Sequence, residues 1–330
     1  MNFLKKVISI FISIFFIFLC LKDIPLNSLL KNVNYNINIL IIAIILLFLI
    51  NIIKSFRLKI LLQNYKKRDF YSYFKPVLLR QFLNTVFFFN AGELITPIVL
   101  KKYFKCSYFE GLSILFSERL IDLTVITAIF GVSLIFSDLR FVFSDLNLGN
   151  KIIYIYFTVY FLLILLFLYL VKSKKKIFLI PQKVNQKIIS GYNFSIKNKN
   201  ILGISFLLSF VVWVFFILID LLIFEAFEIT SPIVTLPNII FLTGVMVFSQ
   251  FIPAAPASIG IFNFFVIKTI EALYVAQGIN YDLNTQIELT SISIIVLLMY
   301  IIPDITWGGY VFYKETLGKL KKISLKINRI

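Results

Sequence analysis

Long apolar runs dominate this sequence and limit the folds that are open to it. Several runs hold about 18–25 apolar residues, the length that an α-helix needs to cross a bilayer core of about 30 Å. Hydrophobic residues make up 60% of the 330 residues, and 38 of these are Phe. A soluble domain carries fewer apolar residues. The sequence therefore predicts an all-α polytopic membrane protein with a single transmembrane domain over residues 1–330.

Lysine and arginine cluster at the ends of the apolar runs and set the expected topology. By the positive-inside rule, short basic loops stay on the cytoplasmic side of the membrane. The basic segments 54–75, 101–105, 172–199 and 314–329 are therefore predicted to be cytoplasmic. This places both termini in the cytoplasm and the protein in the cell (inner) membrane. Six spanning helices are predicted, over residues 7–21, 37–54, 111–136, 152–171, 201–224 and 287–312.

Two further apolar runs are interrupted near their middle. Run 76–104 is broken at residues 90–92, and run 238–277 is broken at residues 253–260, which include two prolines and a glycine. The arms of the first run hold about 14 residues each, too few to span a bilayer, and both of its ends are basic. Its flanks predict a re-entrant hairpin that enters from the cytoplasm, and the acidic or neutral flanks of the second run predict one that enters from outside.

The order of these elements repeats with inverted topology. Residues 1–150 and residues 151–330 each read as helix, helix, broken hairpin and helix, starting from opposite sides of the membrane. Gly92 precedes Glu118 by 26 residues, and Gly260 precedes Glu288 by 28 residues. Inverted repeats with paired broken helices are typical of transporters, which bind their substrate between the repeats near the bilayer midplane.

Three charged residues lie inside an apolar run instead of at its end. Glu118, Arg119 and Asp122 interrupt the predicted helix 111–136, and a charge at membrane depth costs about 2.5–3.5 kcal/mol even on a mild scale. One interpretation is that they face a polar groove. The alternative is that they neutralise one another and fix the helix to the first hairpin, since Arg119 reaches Asp122 at i+3. Glu93 has the same two readings, as a groove residue or as a local cap of the hairpin turn.

Several of these residues carry a resemblance to a known family. Asn84, the stretch 91–94 (Ala-Gly-Glu-Leu), the Glu-Arg-x-x-Asp pattern of 118–122 and the turn 256–260 resemble the lysylphosphatidylglycerol synthase transmembrane (flippase-like) family. Arg57 is similar to that family's basic segment after the second helix. The resemblance covers nearly the whole chain. It implies a membrane-embedded module that moves polar-headed lipids between leaflets, and we expect a stand-alone member without the soluble aminoacyl-transferase domain.

The chain departs from the pattern of that family at both turns. At the first turn, the positions where the family has a Pro and two Arg hold other residue types in this chain. At the second turn, the same is true of the positions where the family has two Gly and a Glu. These positions are Phe88, Asn90, Thr96, Ala257, Ser258 and Asn263. Two cations that could hold a phosphate are thus missing, so the resemblance implies a different headgroup or anion binding by Arg80, Arg119 and free backbone N–H groups.

We therefore expect lipid translocation, with an anionic or polyprenyl-phosphate-linked lipid as the substrate. The alternatives are a small-solute secondary transporter and a non-transporting subunit of a lipid-modifying or glycan-assembly system with a partner enzyme. The net charge of +17 is expected to face anionic headgroups at the cytoplasmic surface, not nucleic acid. No enzymatic activity, catalytic residue, cofactor or metal is expected, because no catalytic constellation is present and the chain has no His.

The candidate substrate-binding residues lie at the two turns and in the charged helix. We predict that a headgroup binds between the hairpin tips, lined by Glu93 and Asn263, with Arg119 as the nearest cation. The full candidate set is Asn84, Asn90, Gly92, Glu93, Glu118, Arg119, Asp122, Pro256, Gly260 and Asn263.

Overall fold

A computed structural model gives the fold of the chain. It describes residues 3–315, apart from the long segments 139–155 and 163–197 and a few shorter ones. The shorter ones are residues 23, 26, 28, 30–32, 89, 157, 161, 251, 253 and 254.

The described residues form nine α-helices and no named strand. The helices are α1 (Phe3–Leu21), α2 (Ile37–Leu61), α3 (Phe70–Val86), α4 (Ala91–Phe104), α5 (Tyr108–Phe136), α6 (Lys199–Glu225), α7 (Leu236–Ser249), α8 (Ile261–Ala276) and α9 (Leu283–Pro303). A π-helical segment, Asp304–Gly308, continues α9, and helix then runs on to residue 315. Short 3₁₀ helices cover Glu228–Ile233 and Pro256–Ser258.

Among the described residues, five helices are long and apolar enough to cross a membrane, so the predicted all-α membrane protein is confirmed. They are Ile37–Leu61, Tyr108–Phe136, Lys199–Glu225, Pro256–Ala276 and Leu283–Glu315. Four of them match predicted spans. The apolar part of α1, Ser9–Leu21, is shorter, and most of the predicted span 152–171 lies outside the described residues. The fifth, Pro256–Ala276, is the second arm of the second predicted hairpin, so the number of spans and the re-entrant hairpins stay predictions.

Helix α2 continues further than the sequence predicted. The predicted span ended at residue 54, and the basic residues that follow were assigned to a cytoplasmic loop. In the structure α2 runs to Leu61, with Leu58 and Leu61 buried on the same face as Arg57. The assignment of Lys54 and Arg57 to a loop was therefore wrong. Buried leucines at helical spacing carry the helix, and its basic residues, past the end of the continuous apolar run.

The helices pack in pairs that correspond between the two halves of the chain. Helix α2 packs on α6. The pairs α3–α4 and α7–α8 form the arms of the two predicted hairpins, and α4 packs on α5 as α8 packs on α9. Helix α3 contacts the π-helical end of α9, and α7 contacts α5 in the corresponding way. This is the contact pattern that two inverted repeats would produce, and the division at residue 150 stays a prediction.

Both turns bring backbones into close contact. A Cβ added to Gly92 would lie 2.2 Å from the carbonyl oxygen of Arg80, so α4 touches the backbone of α3 at this glycine. At the second turn, a Cβ on Gly260 would lie 2.6 Å from the carbonyl oxygen of Ser13 in α1. Only glycine allows these two approaches, because any side chain would overlap the neighbouring backbone.

The residues that precede Gly260 have an unusual backbone. Ala257 and Ser258 have φ values of 56° and 55°, in the left-handed region that favours glycine. The turn therefore holds two non-glycine residues in a backbone conformation that is strained for them.

Candidate functional site

A cluster of four charged side chains is buried between α2, α3 and α5. Arg57 and Glu118 are each 1% exposed, Arg80 is 4% exposed and Asp122 is 8% exposed. Helices α2 and α3 pack on each other, and Arg57 and Arg80 extend from them to the carboxylates of α5. Two positive and two negative side chains are present, so the cluster is neutral as a whole. Neutrality is what allows four charges to be buried together.

The arginines in this cluster share one carboxylate. Arg57 Nη2 lies 2.5 Å from Glu118 Oε1 and 3.0 Å from Asp122 Oδ2. Arg80 binds Glu118 through both of its terminal nitrogens, with Nη1–Oε2 and Nη2–Oε1 distances of 3.0 Å. This two-point geometry is the strong form of an arginine–carboxylate pair. Glu118 is therefore the centre of the cluster, held by two guanidinium groups from two other helices.

Helix α6 joins the cluster through a serine. Arg57 Nη1 donates to Ser209 Oγ and to Asp122 Oδ1, and Ser209 Oγ donates to Asp122 Oδ1 at 2.8 Å. The single hydroxyl proton of Ser209 is directed at Asp122 while its lone pairs face Arg57. In the part of the chain that the structure describes, Nε of Arg57 is the one buried side-chain atom of the cluster without a hydrogen-bond partner. The cluster therefore ties α2, α3, α5 and α6 together through ion pairs and hydrogen bonds.

A second ion pair lies beside the buried cluster and is open at its surface. Arg119 of α5 pairs with Glu93 at the start of α4. The Arg119 side chain is 49% exposed and the Glu93 side chain is 26% exposed. Asn84 Nδ2 of α3 donates to Glu93 Oε1 at 3.4 Å, and the Oδ1 atom of Asn84 is buried without a partner. The tip of the first hairpin thus presents a carboxylate, an amide and a guanidinium at one place.

These contacts separate the two sequence-based interpretations of the charged helix. Glu118 and Asp122 are neutralised by Arg57 and Arg80 from other helices. Arg119 is 3.9 Å from Asp122 and is directed instead at Glu93, so it does fix α5 to the first hairpin. The sequence interpretation that the three charges of α5 neutralise one another is therefore incomplete.

Sequence reasoning left three members of the site out of the candidate set: Arg57, Arg80 and Ser209. Arg80 carried a signal, since it is a charge inside the apolar run 76–104, and it was considered as an anion-binding group. Arg57 was hidden within a basic segment, and Ser209 had no distinguishing feature. Nothing in the sequence indicates that these three meet.

The candidate residues fall into two groups in the structure. Asn84, Asn90, Gly92, Glu93, Glu118, Arg119 and Asp122 lie at the first hairpin and α5. Pro256, Gly260 and Asn263 lie at the second turn, which packs against α1 and α3. Among the described residues, no hydrogen bond or ion pair joins the two groups.

Asn263 has partners within its own half of the chain. Its Oδ1 atom accepts from the backbone N–H of Gly260 at 3.3 Å, and its Nδ2 atom donates to Ser293 Oγ of α9 at 3.2 Å. The side chain therefore caps the start of α8 and links it to α9. Whether a headgroup lies between Glu93 and Asn263 stays a prediction.

Residues 6–280 match the family model described as the lysylphosphatidylglycerol synthase TM region. The match spans the charged cluster, both turns and seven of the nine described helices completely. The comparison with curated proteins and the comparison with solved structures found no match. The family model covers well over half of the chain and all of the candidate site. The protein is therefore a member of the lysylphosphatidylglycerol synthase TM region family.

Proposed function

We propose that this protein moves a polar-headed lipid, with an anionic phospholipid or a polyprenyl-phosphate-linked lipid as the substrate, between the leaflets of the cell membrane. Membership of a membrane family with a lipid-related description supports the substrate class. The Glu93–Arg119 pair carries the proposal, because it is an exposed ion pair that lies next to the Asn84 amide and at the N-terminus of α4.

The depth of this pair fits a path for a headgroup. Arg119 lies 11 residues after the first residue of α5, which is about 17 Å along the helix at 1.5 Å per residue. If α5 enters the hydrocarbon core at its first residue, a guanidinium at that distance lies inside the core and not among the lipid headgroups. An exposed charge there is costly unless it serves a passing polar group.

The surrounding groups can receive an anionic headgroup. A phosphate that approaches Arg119 can replace Glu93 as the partner of the guanidinium, since arginine binds carboxylate and phosphate with the same fork geometry. The start of α4 adds the partial positive charge of a helix N-terminus. The buried cluster behind the pair is already neutral, so it holds the hairpin and α5 in place while the exposed pair exchanges partners.

The position of the pair favours a lipid over a small solute. A solute transporter needs an enclosed site, whereas Arg119 and Glu93 open sideways at the surface of the described helices, next to exposed Leu94 and Phe116. A headgroup can therefore contact the pair while its acyl or prenyl tails remain in the bilayer.

A leaflet-exchange assay tests the proposal. Purified protein is reconstituted into vesicles with fluorescent anionic phospholipids or polyprenyl phosphates, and exchange is followed by quenching of the outer leaflet. The variant Arg119→Gln removes the exposed cation. The matched control is Lys268→Gln, because Lys268 pairs with Glu271 on α8 with side-chain exposures of 53% and 30%, close to those of the Arg119–Glu93 pair.

We expect wild type and Lys268→Gln to exchange at least one of these lipids well above protein-free vesicles, and Arg119→Gln to be several-fold slower. Both pairs are exposed, so each substitution should cost at most about 1 kcal/mol of stability. No exchange by the wild type with any lipid of the panel would contradict the proposal. Equal slowing in both variants would show that the Glu93–Arg119 pair has no specific part in lipid exchange.

A further inference from the structure

A second buried polar cluster lies in the other half of the chain and contains a carboxylate without a cation. Asp220 of α6 is 1% exposed. It accepts hydrogen bonds from Tyr300 Oη of α9, at Oδ1, and from Thr243 Oγ of α7, at Oδ2 with a distance of 2.7 Å. Within the described residues, no Lys or Arg pairs with it.

The helices joined by Asp220 are the counterparts of those joined by the charged cluster. In the first half, Arg57, Arg80 and Glu118 link α2, α3 and α5. In the second half, Asp220 and its two partners link α6, α7 and α9, which occupy the same order in the chain. The first cluster balances its charges, whereas the second holds a single acid between two hydroxyl groups.

A count of hydrogen atoms shows which form of Asp220 fits this geometry. Thr243 Oγ lies within hydrogen-bond distance of two acceptors, Asp220 Oδ2 at 2.7 Å and the backbone oxygen of Ile239 at 2.8 Å. A threonine hydroxyl has one proton and cannot donate to both. Both contacts are satisfied when Asp220 is protonated, because its carboxyl O–H then donates to Thr243 Oγ and the threonine proton goes to Ile239.

Among the described residues, no cation lies close enough to Asp220 to neutralise its carboxylate in place of this proton. From α2, the Lys54 ammonium lies over the ring of Phe216, 4.8 Å from its centroid and one helical turn before Asp220. From α5, Asp122 contacts α6 at Ser209, three turns before Asp220. Glu225, the last residue of α6, and Glu228 in the 3₁₀ helix that follows are exposed. A buried carboxylate without a charged partner takes up a proton in preference to remaining ionised.

We propose that Asp220 is a proton-binding site and that proton exchange at this site is coupled to the movement of the lipid. The coupling rests on the proposed function, whereas the proton site does not. Loss of the proton leaves an unpaired charge at Asp220. Thr243 must then turn its single proton from Ile239, within α7, to Asp220, so the hydrogen bond between α6 and α7 changes direction and strength. Helix α6 also carries Ser209 of the charged cluster, so the two halves of the chain share one rigid element through which the proton can act.

The test uses Asp220→Asn, whose amide reproduces the protonated form. Its Nδ2 group can donate to Thr243 and its Oδ1 atom can accept from Tyr300, so the fold is expected to persist. The matched control is Glu288→Gln, which removes a carboxylate from α9, the helix of Tyr300. Two measurements are made on full-length protein: the infrared carbonyl-stretch band of a protonated carboxylic acid in purified protein, and lipid exchange in vesicles with and without a pH gradient.

We expect the infrared band in wild type and Glu288→Gln and its loss in Asp220→Asn. We also expect the pH gradient to change lipid exchange several-fold in wild type and Glu288→Gln and to leave Asp220→Asn unaffected. An unchanged band in Asp220→Asn overturns the proton site. A band that disappears as expected, together with equal gradient dependence in all three proteins or a rate that follows a sodium gradient instead, overturns the coupling. The band without lipid exchange in any protein would contradict the proposed function and support the proton site.

Discussion

The charged cluster predicts an unusual response to the loss of Arg57. Replacing Arg57 by Met keeps a long unbranched side chain in α2 and removes one of the two cations. Glu118 then keeps its two-point contact with Arg80, at 3.0 Å for each bond. Asp122 keeps only Ser209 and the distant Arg119, at 3.9 Å. The variant therefore has one buried carboxylate without a close cation.

The size of the effect follows from this imbalance. Removing one partner of a buried ion pair costs about 3–5 kcal/mol, because the remaining charge is left in a low-dielectric interior. Replacing Asp122 by Leu in the same chain restores neutrality, since Arg80 and Glu118 remain as a balanced pair. We expect the double variant Arg57→Met/Asp122→Leu to recover about 1–3 kcal/mol relative to the single variant, the usual range for residues in direct contact.

Unfolding of the three proteins in mixed detergent micelles, followed by tryptophan fluorescence, measures these differences. The expected order of stability is wild type, double variant and Arg57→Met, and protein abundance in the membrane should follow the same order. A single variant within about 1 kcal/mol of wild type, or a double variant no more stable than the single one, would contradict the neutral buried cluster.

Three further predictions follow from the turns and the topology. Ala257→Gly should raise stability by about 1 kcal/mol, because a left-handed backbone costs a non-glycine residue about 1–2 kcal/mol; a lower melting temperature would contradict the turn geometry. Gly92→Ala should reduce folded protein, since its Cβ would lie 2.2 Å from the Arg80 carbonyl oxygen; wild-type abundance would show that α3 and α4 are further apart. Cysteines placed at Lys66 and Lys102 should both react with reagents from the cytoplasmic side only, and labelling of either from outside would show that the first hairpin spans the membrane.

The helices and the first turn could be predicted from the sequence, because each depends on a local sequence signal. Apolar runs of spanning length predicted the helices, and the interruption at residues 90–92 predicted the end of one helix and the start of the next. Asn90 has φ of 49°, a left-handed conformation that asparagine tolerates better than most residues. Glycine at residue 92 allowed the close approach of the two arms. These features depend on residues that are close together in the sequence, so they can be predicted from it.

The partners of the buried charges depend on tertiary contacts and were not accessible in the same way. Arg57 meets Glu118 across 61 residues of sequence, and the positive-inside rule assigned it to the cytoplasm together with its basic neighbours. The rule counts charges near helix ends, whereas burial depends on which face of α2 meets α3 and α5. The partners of Asp220 on α7 and α9 were not predictable for the same reason, because closeness to the end of α6 says nothing about contacts with other helices.

The most direct test of the central claim locates the headgroup on the protein. A phospholipid or polyprenyl phosphate with a photoreactive group on its headgroup is added to vesicles that contain the protein, and the cross-linked peptides are mapped by mass spectrometry. We expect adducts within residues 90–96 and 116–122, around the Glu93–Arg119 pair, and their reduction in Arg119→Gln but not in Lys268→Gln. Adducts confined to the basic helix ends, such as Lys101 and Lys102, would contradict a headgroup path along the first hairpin and α5.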